Sequence, residues 1–283
     1  MFEIVKQQVL AQSIKLWEVL APQIAAKAQP GQFVIVRMDD RGERIPLTIA
    51  DFNRAQGSVT LIFQEVGRST MEMGRLQAGD KILDLVGPLG RPSEIANYGR
   101  VVCIGGGVGI APVYPITRAL KQAGNEVISI IGARSAEYLI LDKEMAQVSD
   151  QIYITSDDGS VGQKGFVTDV LRNLLEEGTA IDYIIAIGPL VMMKAVAELT
   201  RPYGIKTTVS LNPIMVDGTG MCGACRVAIG SETRFACVDG PEFDGHLVDW
   251  DIAMMRSRMF LEEEKIALQH IHGGGDCQCQ TKK

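Results

Sequence analysis

From the amino terminus to about residue 97, apolar and polar positions alternate in short runs. The runs at 2–9, 14–19, 32–38, 44–51, 58–66 and 81–86 carry the two-residue period of strands that bury one face. Turn residues punctuate them at Pro30-Gly31, Arg41-Gly42 and Ala78-Gly79-Asp80. Many short strands with turn signals between them predict a small antiparallel barrel.

Beyond Gly99 the pattern changes. Apolar strands at 100–104, 126–132, 152–156 and 183–187 alternate with helical stretches at 111–122, 141–147, 167–177 and 191–200. That alternation predicts a doubly wound parallel sheet. From about 206 the chain holds a cysteine-bearing loop, a short strand over 233–237 and one terminal helix over 249–270. Residues 273–283, opening with three glycines, read as a mobile tail. The fold class expected is β plus α/β: a barrel at 1–97, an α/β domain at 98–205, a small cysteine module at 206–250, and helix and tail at 251–283.

Composition narrows the function classes. A hydrophobic content of 46% is ample for buried cores and excludes global disorder. The net charge of −6, with no basic run, argues against nucleic acid as a partner. The longest apolar run, 183–193, is too short to span a bilayer and contains Gly188-Pro189. Met1-Phe2-Glu3 opens no secretory signal, and six cysteines, most of them clustered, fit a reducing compartment. A cytoplasmic chain without membrane contact is expected.

The chemistry concentrates in Asp217-Gly218-Thr219-Gly220-Met221-Cys222-Gly223-Ala224-Cys225, with Cys237 twelve residues on. Plant-type 2Fe–2S loops space their thiolates C-x4-C-x2-C, with a fourth cysteine further along. Here the spacing is kept, but Asp217 stands at the first position. The loop reads as a 2Fe–2S site held by Asp217, Cys222, Cys225 and Cys237. A zinc site is the first alternative, yet no histidine lies nearer than His246. A disulfide does not suit a chain without a secretory signal. A thioredoxin-like dithiol would leave Cys237 unexplained. Cys277 or Cys279 in the tail is the alternative fourth ligand.

Nucleotide signals lie upstream. Gly105-Gly106-Gly107-Val108-Gly109-Ile110-Ala111-Pro112 follows a strand and opens a helix, where glycines let a diphosphate approach the helix N-terminus. The order is not strict G-x-G-x-x-G, and a glycine turn that only packs helix on sheet is the bland reading. Two further loops, Ser156-Asp157-Asp158-Gly159-Ser160 and Gly188-Pro189-Leu190, follow later strands of the same sheet, along the edge where such sheets bind ligands. Arg134-Ser135 follows the second strand and suits an adenosine ribose or its 2′-phosphate, so NADH and NADPH both stay open. Cys103 reads as a buried strand residue. In the barrel, Arg44-Ile45-Pro46-Leu47-Thr48 offers a phosphate partner and a proline-fixed edge for a flat heterocycle. Val66-Gly67-Arg68-Ser69-Thr70 offers N–H groups and hydroxyls to a diphosphate.

The order of these motifs resembles the ferredoxin–NADP reductase superfamily and, within it, the iron–sulfur electron-transfer subunits of dihydroorotate dehydrogenase B. The resemblance covers residues 1 to 250, including Cys237-Val238-Asp239-Gly240-Pro241. Asp217 in place of a cysteine is similar to the small subunits of NADH-dependent reduced ferredoxin:NADP oxidoreductases, which are electron-bifurcating, as is a long terminal helix with Glu262-Glu263-Glu264. The resemblance implies FAD in the barrel at Arg44, Pro46, Leu47, Thr48, Phe63, Glu65, Val66, Gly67, Ser69 and Thr70. It implies NAD(H) at Gly105–Gly109, Ala111, Pro112, Asp157, Asp158, Gly159, Gly188 and Pro189, with Arg134 beside them. It also implies a larger, NADPH-binding partner subunit with flavin and 4Fe–4S clusters, and ferredoxin as an indirect partner. No acid–base residue is expected to be catalytic, because the chemistry belongs to the cofactors. Rival readings are an electron-transfer subunit of dihydroorotate dehydrogenase B or of a sulfide dehydrogenase, and a flavin-binding partner subunit without electron transfer.

Overall fold

The computed structural model describes residues 1–272. Seven strands build the amino-terminal barrel: β1 (Phe2–Ala11), β2 (Ile14–Leu20), β3 (Phe33–Arg37), β4 (Ile45–Asn53), β5 (Ser58–Gln64), β6 (Lys81–Ile82) and β7 (Asp84–Leu89). Their order is β6-β1-β2-β5-β4-β3-β7, so the sheet curls until its edges approach. Helix α1 (Pro22–Lys27) joins β2 to β3, and helix α2 (Arg68–Met73) joins β5 to β6. The alternating apolar residues point inward, where Trp17 meets Phe63 edge-on with 4.8 Å between ring centroids.

The second sheet contains β8 (Arg100–Gly106), β9 (Glu126–Ala133), β10 (Gln151–Ser156), β11 (Gln163–Lys164), β12 (Tyr183–Ile187) and β13 (Lys206–Ser210). Helix α3 (Ile110–Gln122), α4 (Asp142–Gln147), α5 (Val167–Glu176) and α6 (Leu190–Thr200) cover its two faces. The strand order is β11-β10-β9-β8-β12-β13, all parallel, as the alternating pattern predicts. Strands β8, β9 and β12 are buried on both sides.

The carboxyl-terminal part holds the hairpin β14 (Arg226–Ile229) and β15 (Glu232–Phe235), α7 (Ala236–Asp239), β16 (Glu242–Asp244), α8 (Trp250–Arg256) and α9 (Leu261–His272). Three expectations change here. The parallel sheet takes in 206–210 and adds β16 antiparallel at its edge, both inside the stretch assigned to the cysteine module. Short strands complete the ladder of a neighbour, which no local pattern reports. The strand expected over 233–237 ends at Phe235, and a helical turn carries Cys237.

The single terminal helix expected over 249–270 is two helices. After α8 the backbone bonds shorten to three-residue spacing, Arg258 N–H to Met255 O and Met259 N–H to Arg256 O, and the axis breaks before α9. Trp250 anchors α8 in the core beside the cysteine loop, whereas α9 lies against α2 of the barrel. One straight helix cannot reach both surfaces. Among the described residues, no helix is long and apolar enough to cross a membrane. The tail from 273, with Cys277 and Cys279, lies outside the described residues.

Barrel and sheet are tied together. Arg118 on α3 grips Asp51 on β4 with both nitrogens, at 3.0 and 2.5 Å. At a second junction the carboxyl of Glu242 accepts the Ser93 hydroxyl at 2.5 Å and is wedged against Gly31, where a Cβ would stand 2.7 Å from its oxygen. Burial pushes this carboxyl up to about 7 against the opposing hydrogen bond from Ser93, and Tyr183 also faces it. A carboxyl raised above its unfolded value of 4.5 contributes most below that value, and its contribution falls as pH rises toward about 7. Glu242→Gln, which stays neutral, is therefore expected to gain melting temperature relative to wild type at pH 8 but not at pH 4. An equal difference at both pH values would remove Glu242 from the pH dependence.

Candidate functional site

A cleft of about 930 Å³ runs between the barrel and the carboxyl ends of the parallel strands. Its barrel wall carries Pro46, Leu47, Thr48, Phe63, Val66 and Thr70, and its sheet wall carries Gly106, Gly107, Val108, Gly109, Pro112, Arg134, Asp157, Gly188 and Pro189. Fifteen of the sequence-derived candidates thus face one space, which is large enough for a flavin and a nicotinamide together.

The glycine turn divides its labour. Gly107 has φ +56° and open space where a Cβ would project, so backbone is presented directly to the cleft. Gly109 has an ordinary helical φ of −64°, yet a Cβ there would stand 2.4 Å from the Ile187 carbonyl oxygen. Its role is close packing of α3 on β12. Gly105 likewise packs against α3, and Ala111 is buried in that helix, so neither lines the cleft.

Other candidates stand off the wall. Arg44 is exposed just before β4. Glu65 pairs with Lys15 at 3.1 Å. Ser69 donates its hydroxyl to Glu43. Gly67 lies behind the wall and donates its N–H to the hydroxyl of the lining Thr70 at 3.0 Å, closing the turn. Asp158 accepts the Ser160 hydroxyl and N–H, which holds its carboxyl below the usual range, and Gly159 packs on Lys164. Cys103 is fully buried, and burial pushes its thiol up to about 12, as suits an inert strand residue.

Several lining residues carried no local signal. Phe33, Tyr138, Phe166, Met192, Asn212 and Pro241 reach the cleft from separate elements. Gly132 was findable: it is the last residue but one of β9, paired with Gly106, and the rule that ligands bind at carboxyl strand ends points to it.

The cysteine loop rests on the barrel. Gly218, with φ +75°, sits so close to Leu89 and Ile35 that a Cβ would stand 2.7 and 2.9 Å from them. Asp217 folds the loop, accepting the Thr219 N–H and the Cys222 N–H at 2.8 Å each. The Thr219 bond contributes most to holding its carboxyl below the ordinary range, so the side chain is anionic. Cys225 and Cys237 are buried with their sulfurs 3.2 Å apart, while Cys222 is exposed. Burial, with Cys225 beside it, pushes the Cys237 thiol up to about 12, so binding iron as thiolate releases a proton.

Among the described residues, no three acidic, cysteine or histidine side chains converge on one point as a single ion requires. A two-iron cluster divides its four ligands between two metals and has no such requirement. The buried sulfur pair, the exposed thiol and the anionic Asp217 around a glycine-rich loop fit that group.

Similarity to known proteins agrees with this geometry. Residues 212–249 match the iron-sulfur cluster binding domain of dihydroorotate dehydrogenase B, and residues 103–198 match the oxidoreductase NAD-binding domain. A Thermotoga maritima protein, named dihydroorotate dehydrogenase B (NAD(+)) electron transfer subunit homolog, is 49% identical over 95% of both chains. The chain belongs to this family. An electron transfer subunit from Geobacillus thermodenitrificans is 33% identical over 85% of this chain and 94% of its own. A chain from the solved structure of NADH-dependent reduced ferredoxin-NADP oxidoreductase superposes with a TM-score of 0.91 at 47% identity, covering 96% of this chain and 98% of that one. Phthalate dioxygenase reductase, at 17% identity and a TM-score of 0.58, shares the fold. As a member of this family the chain is an oxidoreductase subunit, working in electron transfer with FAD, a 2Fe–2S cluster and NAD(H). Its relatives are subunits, so it serves within a larger assembly.

Proposed function

We propose that the chain is the NADH-side subunit of a flavin-based bifurcating oxidoreductase. It exchanges hydride with NAD(H) in the cleft and passes single electrons through the cysteine loop to a larger NADPH-binding flavin and 4Fe–4S subunit, with ferredoxin served indirectly. The observation that carries this reading is the sharing of one strand by the two sites: Phe33 of β3 lines the cleft, and Ile35 of β3 lies under Gly218 of the loop. In this reading residues 1–97 hold the flavin, 98–205 the nicotinamide nucleotide and 206–250 the cluster. FAD, when bound, converts two-electron hydride chemistry into the one-electron chemistry of an iron–sulfur cluster.

The protein's own work is placement. Pro46, Leu47 and Thr48 give a flat ring a shaped edge, and Gly106 and Gly107 admit a diphosphate to the start of α3. Arg118 and Asp51 hold the two walls at a set separation. Asp217, Cys222, Cys225 and Cys237 take the cluster, the carboxylate being the harder ligand.

Asp217→Cys is expected to keep a 2Fe–2S signal and move its midpoint potential, read by redox titration with electron paramagnetic resonance. An unchanged potential and signal would remove Asp217 from the ligand set.

The function itself is tested by isolating the native assembly without oxygen, identifying its stoichiometric partner by mass spectrometry, and following flavin bleaching by NADH. A larger flavin and iron–sulfur partner with rapid bleaching is the expected result. The names of the curated relatives favour a second reading, in which the partner is a dihydroorotate-oxidising enzyme. Recovery of that partner would replace the bifurcating assignment. Absence of bleaching in FAD-loaded protein would overturn the electron-transfer role altogether.

A further inference from the structure

The cysteine loop turns a corner at Gly223-Ala224, between two of its thiols, and two guanidiniums from different elements close on that corner. Arg256, the last residue of α8, donates Nη2–H to the Ala224 carbonyl at 2.9 Å. Its Nε is buried and has no partner among the described residues. Arg226, the first residue of β14, brings Nη1 within 3.1 Å of where a Gly223 Cβ would stand. Gly223, with φ +66°, leaves room for that approach.

Neither arginine makes an ion pair among the described residues, although the chain has 34 acidic residues against 28 basic ones. A cavity of about 120 Å³ is bounded by both arginines, Ile252 and Ala253. A cation kept half-buried without a carboxylate, as Arg256 is, calls for another anion, and the exposed Arg226 adds its charge from the rim.

We propose that Arg256, with Arg226 beside it, is the counter-charge of the loaded cluster site and raises its reduction potential. This rests on the loop being the 2Fe–2S site. Three thiolates and a carboxylate make the loaded site net negative, and reduction adds one more negative charge. A fixed cation beside the loop therefore stabilises the reduced form more than the oxidised one. The bond to Ala224 also holds the backbone between Cys222 and Cys225, which makes Arg256 a positioning residue as well as a charge. It comes from α8, beyond the matched iron–sulfur segment that ends at residue 249. The cluster's potential is in this way set partly by a helix outside the ligand loop.

The test is a redox titration of the full chain followed by electron paramagnetic resonance, with iron and labile sulfide quantified, for wild type, Arg256→Gln, Arg256→Lys and Arg226→Gln. The expected result is a lower midpoint potential in Arg256→Gln at unchanged cluster content, a value near wild type in Arg256→Lys, and a smaller lowering in the more exposed Arg226→Gln. An unmoved potential in Arg256→Gln overturns the proposal, as do equal shifts in the Lys and Gln variants, which would trace the effect to hydrogen-bond geometry alone. Should Arg256→Gln lose its cluster, Arg226→Gln decides: a lowered potential supports the counter-charge role and an unmoved one overturns it. A wild-type chain with no 2Fe–2S signal would sink the cluster reading beneath the proposal, a failure distinct from an intact signal indifferent to these arginines.

Discussion

Cys225→Ser is expected to abolish most of the 2Fe–2S signal while leaving FAD binding largely intact. Cys225 is buried, its sulfur lies 3.2 Å from that of Cys237, and its neighbours are the apolar core under the loop. A serine hydroxyl is a poor ligand for iron in a site built of soft thiolates, because it is hard and remains protonated at neutral pH. Left unligated there, the hydroxyl is also a polar group without its full set of partners, a cost of about 1–3 kcal/mol. The barrel wall proposed to hold the flavin, in contrast, is made of strands whose core around Trp17 and Phe63 contains neither cysteine. Iron and sulfide analysis beside the flavin absorbance of the same sample separates the two losses. Parallel loss of both groups would show that the loop supports the barrel, and the modular picture would fall.

The second large effect is expected at Gly109. A methyl group there would lie 2.4 Å from the Ile187 carbonyl oxygen and 2.8 Å from the Gly188 Cα. Both are backbone atoms of the strand end and loop beside it on the same sheet wall of the cleft, so neither can swing aside. Gly109→Ala must push α3 away from β12, at about 1–3 kcal/mol for overpacking. It also displaces the turn proposed to admit the diphosphate, so NADH-dependent flavin bleaching should slow by an order of magnitude or more. Gly106→Ala is the control, because the atom nearest its added methyl is Met192 Sδ, the end of a flexible side chain. It should fold like wild type. An equal loss of melting temperature in the two variants would refute the packing argument for Gly109.

Much of this architecture is legible in the sequence. Two-residue periodicity marks the barrel strands, and alternating strands and helices mark the parallel sheet, because both patterns are local consequences of which face is buried. The cysteine spacing and the glycine turn are readable for the same reason: a ligand loop and a phosphate turn each lie within one short stretch of chain. Register alone puts Asp217 at the first ligand position, with Cys277 and Cys279 left as alternatives.

Other features depend on contacts across space. Nothing in 206–210 or 242–244 announces that these strands extend the parallel sheet, since each is completed by hydrogen bonds to a neighbour. The break between α8 and α9 follows from two packing surfaces that point apart, the core beside the loop and helix α2. Phe33 and Met192 reach the cleft, and Arg256 reaches Ala224, from elements distant in sequence. The sequence by itself determined the types of element, the ligand loop and the nucleotide turn, because each is encoded in spacing along the chain. Only the tertiary structure decided that β3 lies between cleft and loop and that two arginines close on the cluster corner, because side chains meet where packing brings their elements together.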